Sequence, residues 1–172
     1  TGIRGDSGNI KDKKMGYYLA DEAVFRRVTE ATGAGNNRHP LTYILEAADD
    51  LAYKTADIED AFVKGFISYY TLERELAPLE RACPESPFKP LEKLRQLYER
   101  GLKKGVGNPE SYAVKNWIIS VQGFLISCAT YGFTSNYDSI MAGTFGQDLF
   151  YGTYGERLME LLGDMAYRRV FS

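Results

Sequence analysis

The sequence predicts an all-helical protein. Apolar residues recur at spacings of three and four, and prolines and glycines divide the chain into segments of helical length. No segment alternates apolar and polar residues over the length of a strand. The pattern excludes doubly wound folds, which need a parallel sheet. We therefore expect a helical bundle, formed by one helical region over residues 1–172.

The helices are predicted in order from their start and stop signals. Residues 1–14 are rich in Gly, Lys and Asp and are expected to be flexible. A first helix over residues 21–32 ends at Gly33, and a long amphipathic helix over residues 40–62 begins with Pro40 at its first position. Further helices are predicted over residues 71–82, 90–103, 109–133, 137–142 and 156–170.

Composition indicates a soluble protein of the cytoplasm. The net charge of −2 gives no overall attraction to nucleic acid or to an anionic membrane. Cys83 and Cys128 have no metal-binding spacing, and two isolated cysteines suit a reducing compartment. Residues 116–137 are uncharged but contain several hydroxyl and amide side chains, so a buried core helix is expected rather than a membrane span.

Both ends of the sequence suggest a piece of a longer polypeptide. Thr1 lies in a glycine-rich stretch, and residues 167–172 continue a helical pattern without a stop signal. We therefore expect an incomplete fragment of a larger helical enzyme.

The long helix carries an acidic segment that could hold a site. Residues 40–62 contain six acidic residues and a single lysine. Asp49, Tyr53 and Asp57 are spaced four apart, so they follow one face of a helix. One carboxylate could ligate a hard cation and the other could accept hydrogen bonds from a sugar. The alternative is a solvated acidic face, but both aspartates flank the apolar positions, which predicts partial burial.

Several motifs resemble one family. They are RHPLT at residues 38–42, EAADDLAY at 46–53, ADIED at 56–60, KMGYYLADE at 14–22, NYDSIMAGTF at 136–145 and RVFS at 169–172. Taken in chain order, they resemble the deoxyguanosinetriphosphate triphosphohydrolase (dGTPase) family of HD-domain phosphohydrolases. The resemblance spans nearly the whole chain and is weakest over residues 66–110.

The resemblance implies a helical bundle of the HD-domain type and a chemistry. The family binds a divalent cation, Mg²⁺ or Mn²⁺, through a histidine, a His-Asp pair and a later aspartate, which corresponds to Asp49. Tyr53 corresponds to the tyrosine that packs on the deoxyribose, Asp57 to the aspartate that bonds the 3′-hydroxyl, and Lys115 to a basic residue facing the triphosphate. The implied reaction converts dGTP and water to deoxyguanosine and triphosphate, in a homo-oligomer that could be a hexamer.

The sequence departs from the family pattern in its histidines. His39 is the single histidine and is followed by Pro40, so no His-Asp pair is present. We assign His39 a structural role, assign no catalytic residue within residues 1–172, and expect this chain alone to be inactive. Two alternatives stay open: an HD phosphohydrolase that acts on another nucleotide, and a non-catalytic regulatory or assembly module.

Two further acidic residues have weaker functional interpretations. Asp50 follows Asp49 and could contact a metal ligand, and Glu46 lies one turn earlier and could orient one. A solvated or ion-paired carboxylate is the expected reading of both.

Overall fold

A computed structural model describes residues 17–35 and 37–170, with the backbone alone for residues 169 and 170. Residues 1–14, which were predicted to be flexible, lie outside the described residues. So do residues 14–16 and 171–172, at the outer ends of the first and last motifs that resemble the family. A 3-10 turn over Leu19–Asp21 precedes the α-helices. They are α1 (Glu22–Thr32), α2 (Pro40–Val63), α3 (Tyr69–Ala82), α4 (Pro90–Lys103), α5 (Pro109–Ser135), α6 (Tyr137–Met141) and α7 (Glu156–Val170).

This architecture confirms the predicted all-α fold class. Each predicted helix is present, and the described residues contain no strand. The largest difference at a helix start is at α3, which begins at Tyr69 instead of Thr71. Ser68 caps this helix by accepting a hydrogen bond from the Thr71 backbone N–H, so the first turn forms before the apolar pattern becomes regular.

Helix α5 is the centre of the bundle. It packs against α4 and α2, and α2 packs in turn against α7. The Trp117 side chain of α5 is fully buried, and its indole N–H donates to the Pro90 carbonyl oxygen at 2.8 Å. Among the described helices, α5 alone is long and apolar enough to cross a membrane, but one face of it lies in the core. Only 28% of its most apolar window is buried, so among the described residues α5 is a partly buried helix and not the buried core helix that the sequence predicts.

A glycine brings the last part of the chain close to α5. A Cβ atom added to the buried Gly132 would lie 1.9 Å from the Leu149 carbonyl oxygen. The segment before α7 therefore rests directly on the α5 backbone, which only glycine allows.

Helix α1 differs from the others because none of its residues is buried. Its apolar side chains Val24, Phe25 and Val28 are all exposed, although their spacing is amphipathic. The fold that positions the candidate site is therefore built from α2 and the helices that contact it.

Candidate functional site

The entry to α2 is fixed by His39 and Pro40. His39 is the N-cap residue, and its Nδ1 atom accepts a hydrogen bond from the Leu41 backbone N–H at 3.2 Å. Pro40 occupies the first helical position, where the missing N–H costs nothing. His39 therefore has the structural role that the sequence predicts, and capping is its contribution to the site.

Arg38, Glu46 and Tyr43 form a cluster at the start of α2. Arg38 and Glu46 form a salt bridge, with 8% and 19% of their side chains exposed. The Arg38 guanidinium also lies 5.0 Å from the centre of the Tyr43 ring. Burial lowers the pKa of Arg38 and raises the pKa of Tyr43. Because Glu46 is engaged by Arg38, the ion-paired reading of this residue is the one the structure favours.

The segment after α6 packs against the same end of α2. The Tyr43 hydroxyl donates to the Phe145 carbonyl oxygen at 2.6 Å, and the two rings are 5.7 Å apart. A Cβ atom added to Gly143 would lie 2.4 Å from the Asn37 amide, and Gly143 has a φ of +73°. Glycine is therefore favoured there by the backbone conformation, and a larger residue would also have to displace the Asn37 side chain. Two motifs that are distant in sequence, residues 38–42 and 136–145, thus meet around Tyr43.

The middle of α2 is held by polar contacts with α5 and α7. The fully buried Thr55 hydroxyl donates to the Leu51 carbonyl oxygen and accepts from the Gln122 amide at 2.9 Å. The neighbouring Lys54 ammonium donates to the Met159 carbonyl oxygen at 3.2 Å. These contacts fix the rotation of α2, and so they determine which residues point away from the bundle.

Asp49, Tyr53 and Asp57 follow one side of this anchored helix. Each step of four residues advances about 6 Å along the axis and turns about 40°. Asp49 is exposed, Tyr53 is 66% exposed and Asp57 is half-buried. In the described part of the chain, the side chains of these two aspartates form no ion pair or hydrogen bond. Both carboxylates are therefore accessible to a ligand or to another element.

The predicted partial burial is correct for Asp57 and wrong for Asp49. Asp49 lies two residues before the buried Leu51, hence about 160° away around the helix. Asp57 lies one residue before the fully buried Ile58, hence about 100° away, which leaves it at the border of the packed face. The aspartates therefore do not flank the packed face symmetrically.

Helix α2 has a second apolar stripe that the bundle does not cover. Its members are exposed apolar residues at spacings of three and four: Leu41, Leu45, Ala48, Ala52 and Ala56. The packed face of the same half of the helix uses Tyr43 and Ala47 instead. The sequence pattern had merged both stripes into one, because apolar spacing alone cannot separate two neighbouring faces. Asp49 lies beside the exposed stripe, and the small alanines there would let another backbone approach closely.

The structure does not bring Lys115 to the acidic line through any hydrogen bond or ion pair between described residues. Lys115 is exposed on α5, on the same side as Gln122 and about 10 Å nearer the start of the helix. Asp50 is also exposed, beside Asp49.

A complete metal site is absent from the described residues. No group of three or more His, Cys, Asp and Glu side chains there could hold a metal ion. Asp49 has the donor chemistry of a ligand for a hard cation, but one carboxylate can supply only part of a coordination shell.

Comparisons with known proteins find relatives over nearly the whole of this chain. A deoxyguanosinetriphosphate triphosphohydrolase-like protein of Listeria monocytogenes is 36% identical over 178 residues, covering 99% of this chain and 36% of that protein. The deoxyguanosinetriphosphate triphosphohydrolase of Salmonella paratyphi A is 34% identical over 174 residues, covering 97% of this chain and 34% of that protein. A probable enzyme of the same name from Pseudomonas aeruginosa is 30% identical, covering 93% of this chain. No protein-family model matches the chain.

This chain is all-α, and these relatives are named deoxyguanosinetriphosphate triphosphohydrolases or proteins like them. The chain belongs to the dGTPase family, as its motifs indicate, and it spans about a third of the length of the curated relatives it matches.

The sequence had shown no role for the residues that hold α2 in place. Tyr43 bonds to Phe145, and Thr55 bonds to Gln122. The partners in each pair are more than sixty positions apart in the sequence, and no local pattern reveals such pairs. Arg38 lies just before α2, and Glu46 lies about two turns into it. Their opposite charges are the signal that could have revealed this pair.

Proposed function

We propose that this chain is part of a metal-dependent dNTP triphosphohydrolase that acts on dGTP in the cytoplasm. The reaction would convert dGTP and water to deoxyguanosine and triphosphate, with cleavage of the bond between the α-phosphorus and the 5′-oxygen. The observation that carries the proposal is the accessible line of Asp49, Tyr53 and Asp57 on an anchored helix, in a chain whose relatives are named for this activity.

Asp49 would be one ligand of a divalent cation, Mg²⁺ or Mn²⁺. When bound, such an ion lowers the pKa of a coordinated water and neutralises charge on the phosphate. Asp49 suits this role because its carboxylate is exposed and lies beside the uncovered apolar stripe of α2. An element that packed on that stripe would bring further ligands to Asp49 and remove water from the site.

Tyr53 and Asp57 would recognise the sugar. The Tyr53 ring, one turn after Asp49, would pack on the deoxyribose and leave no room for a 2′-hydroxyl, which disfavours ribonucleotides. The Asp57 carboxylate, one turn further, would accept a hydrogen bond from the 3′-hydroxyl. Lys115 would contact the triphosphate as a point charge, and it is the least constrained of these assignments.

The active protein would be a homo-oligomer, for which a hexamer is our specific proposal. Exposed apolar side chains occur on α1, α2 and α5, so the chain has several surfaces available for association.

The test is hydrolysis by the full-length polypeptide. Each of the four dNTPs and GTP is incubated with the protein, with and without Mg²⁺ or Mn²⁺, and the phosphate products are separated by ion exchange. The proposal predicts metal-dependent release of triphosphate, fastest from dGTP and weak from GTP. Release of pyrophosphate or orthophosphate would contradict the reaction, another preferred dNTP would contradict the substrate, and no hydrolysis would favour a non-catalytic module.

A further inference from the structure

Thr55 is a fully buried polar side chain in the packed face of α2. Leu51 and Ile58, one turn away on either side, are buried in the same face. Its partner Gln122 is half-buried on α5 and follows the fully buried Val121. Water has little access to replace a hydrogen bond in such apolar surroundings, so the bond must be well aligned to satisfy both groups.

The direction of the bond between Thr55 and Gln122 follows from the protons available. The Thr55 hydroxyl has one proton, which it donates within α2 to the Leu51 carbonyl oxygen at 2.8 Å, with the Ala52 carbonyl oxygen farther away at 3.2 Å. The bond of 2.9 Å to Gln122 is therefore donated by the Gln122 amide and accepted by the Thr55 oxygen. Because the β-branched Thr55 side chain is also bonded to its own helix, it holds this acceptor at a fixed angle around α2.

Tyr53 and Asp57 lie on the opposite side of α2 from Thr55. Each is two positions from Thr55, hence about 160° away around the helix and about 3 Å away along its axis. Side-chain ends lie about 5–6 Å from a helix axis, so a rotation of α2 by about 10° would move the Asp57 carboxylate by about 1 Å. A displacement of that size weakens a directional hydrogen bond to a ligand.

The other contacts of α2 restrict its rotation less strictly. Its packed face includes the small side chains of Ala47 and Ala61, and apolar contacts have no preferred bond angle. Lys54 reaches the Met159 carbonyl oxygen of α7 through a long flexible stem, which can follow a small rotation of the helix. The bond between Gln122 and Thr55 is therefore the contact that specifies the rotation most closely.

We propose that Gln122 is a positioning residue that acts through Thr55 to aim the Asp57 carboxylate at the 3′-hydroxyl of the substrate. The inference rests on the proposed function, in which Asp57 accepts a hydrogen bond from that hydroxyl. Gln122 contacts no part of the substrate in this arrangement. Its effect should therefore depend on whether the ligand has a 3′-hydroxyl, whereas a general loss of packing would affect every ligand alike.

The test compares dGTP with 2′,3′-dideoxyguanosine triphosphate in the full-length protein. The value of kcat/KM for dGTP is taken from triphosphate release, and the dideoxy compound is measured as a competitive inhibitor. Thr55→Val and Gln122→Met preserve much of the side-chain shape and remove the hydrogen bond. Each should lower kcat/KM for dGTP about tenfold and change the inhibition constant of the dideoxy compound less than about twofold. The double variant should lose no more than either single variant, because all three remove the same bond.

Matched variants separate this bond from other effects of the substitutions. Thr55→Ser retains the hydroxyl and should keep kcat/KM for dGTP within about twofold of the wild type. The exposed Thr130 hydroxyl of α5 donates only within its own helix, to the Ile126 carbonyl oxygen at 2.8 Å, so Thr130→Val should change neither constant. Gln96→Met removes an exposed amide that bonds within α4 and should also change neither constant.

Asp57→Asn tests the underlying sugar contact separately. It should lower kcat/KM for dGTP and leave the inhibition constant of the dideoxy compound within about twofold. If it does so while Thr55→Val and Gln122→Met behave as wild type, lose both ligands equally or are not matched by retention in Thr55→Ser, the positioning role is refuted and the proposed function stands. Wild-type behaviour of Asp57→Asn would overturn the sugar contact and the positioning role together, and a wild-type protein that releases no triphosphate would overturn the proposed function as a whole.

Discussion

The close approach of α5 to the segment before α7 predicts that Gly132→Ala destabilises the protein. Gly132→Ala would place a Cβ atom 1.9 Å from the Leu149 carbonyl oxygen, whereas ordinary contact begins at 3.4 Å. The atom it meets belongs to the backbone and cannot rotate away, so the two segments must separate by about 1.5 Å. The substitution should therefore disturb the packing of α7, which also supports α2.

The magnitude follows from two opposed effects. Overpacking of this kind costs about 2–3 kcal/mol, and the better helix propensity of alanine returns up to about 1 kcal/mol. We expect a net loss of about 1–3 kcal/mol in the free energy of unfolding. Gly123→Ala is the matched control, because Gly123 lies in the same helix, is exposed and has nothing within 4 Å of its added Cβ. That variant should gain about 0.5–1 kcal/mol.

The assay is urea unfolding followed by the fluorescence of Trp117, the one tryptophan of the chain, which is fully buried in α5. The two alanine variants should move the unfolding midpoint in opposite directions. Midpoints that move in the same direction, or variants that agree within about 0.5 kcal/mol, would refute the close approach at Gly132.

Three further predictions concern pH, the sugar and the isolated chain. Burial raises the pKa of Tyr69 to about 12 from its ordinary 10.0. The contribution of this shift to stability should therefore be complete below pH 10 and lost as the pH rises toward 12. When urea unfolding at pH 8 is compared with pH 11, the free energy of unfolding should fall less for Tyr69→Phe than for the wild type. Tyr53→Ala in the full-length protein should raise the rate on GTP relative to dGTP without loss of fold, because Tyr53 is 66% exposed; an unchanged ratio would argue against the sugar contact. Purified residues 1–172 should release no triphosphate from dGTP, and measurable metal-dependent release would show that the chain contains a complete site.

Local signals in the sequence were sufficient for the helices. Pro40 and Pro90 begin helices, and Gly33 and Gly65 follow the ends of others in a left-handed conformation. Each of these signals acts within one turn of the residue concerned, so a single sequence displays it.

The side of α2 that packs could not be predicted in the same way. Leu41 and Leu45 are more apolar than Ala47, yet the structure buries Ala47 and exposes the leucines. The choice depends on partners far along the chain, since Tyr43 bonds Phe145 and Thr55 bonds Gln122. For the same reason the sequence placed Asp49 at the border of the packed face, whereas it lies nearly opposite that face. The spacing of Asp49, Tyr53 and Asp57 was reliable because it depends on helix geometry alone.

The assignment of Asp49 as a metal ligand is tested most directly by the effect of Asp49→Asn in the full-length protein, with Asp50→Asn as the control. Both side chains are exposed, so neither change should affect the fold. If Asp49 is a metal ligand, Asp49→Asn should weaken Mn²⁺ binding, measured by calorimetry, and reduce triphosphate release from dGTP at least about 100-fold. Asp50→Asn should retain both within a few fold. Wild-type metal affinity and triphosphate release in Asp49→Asn would contradict the central assignment.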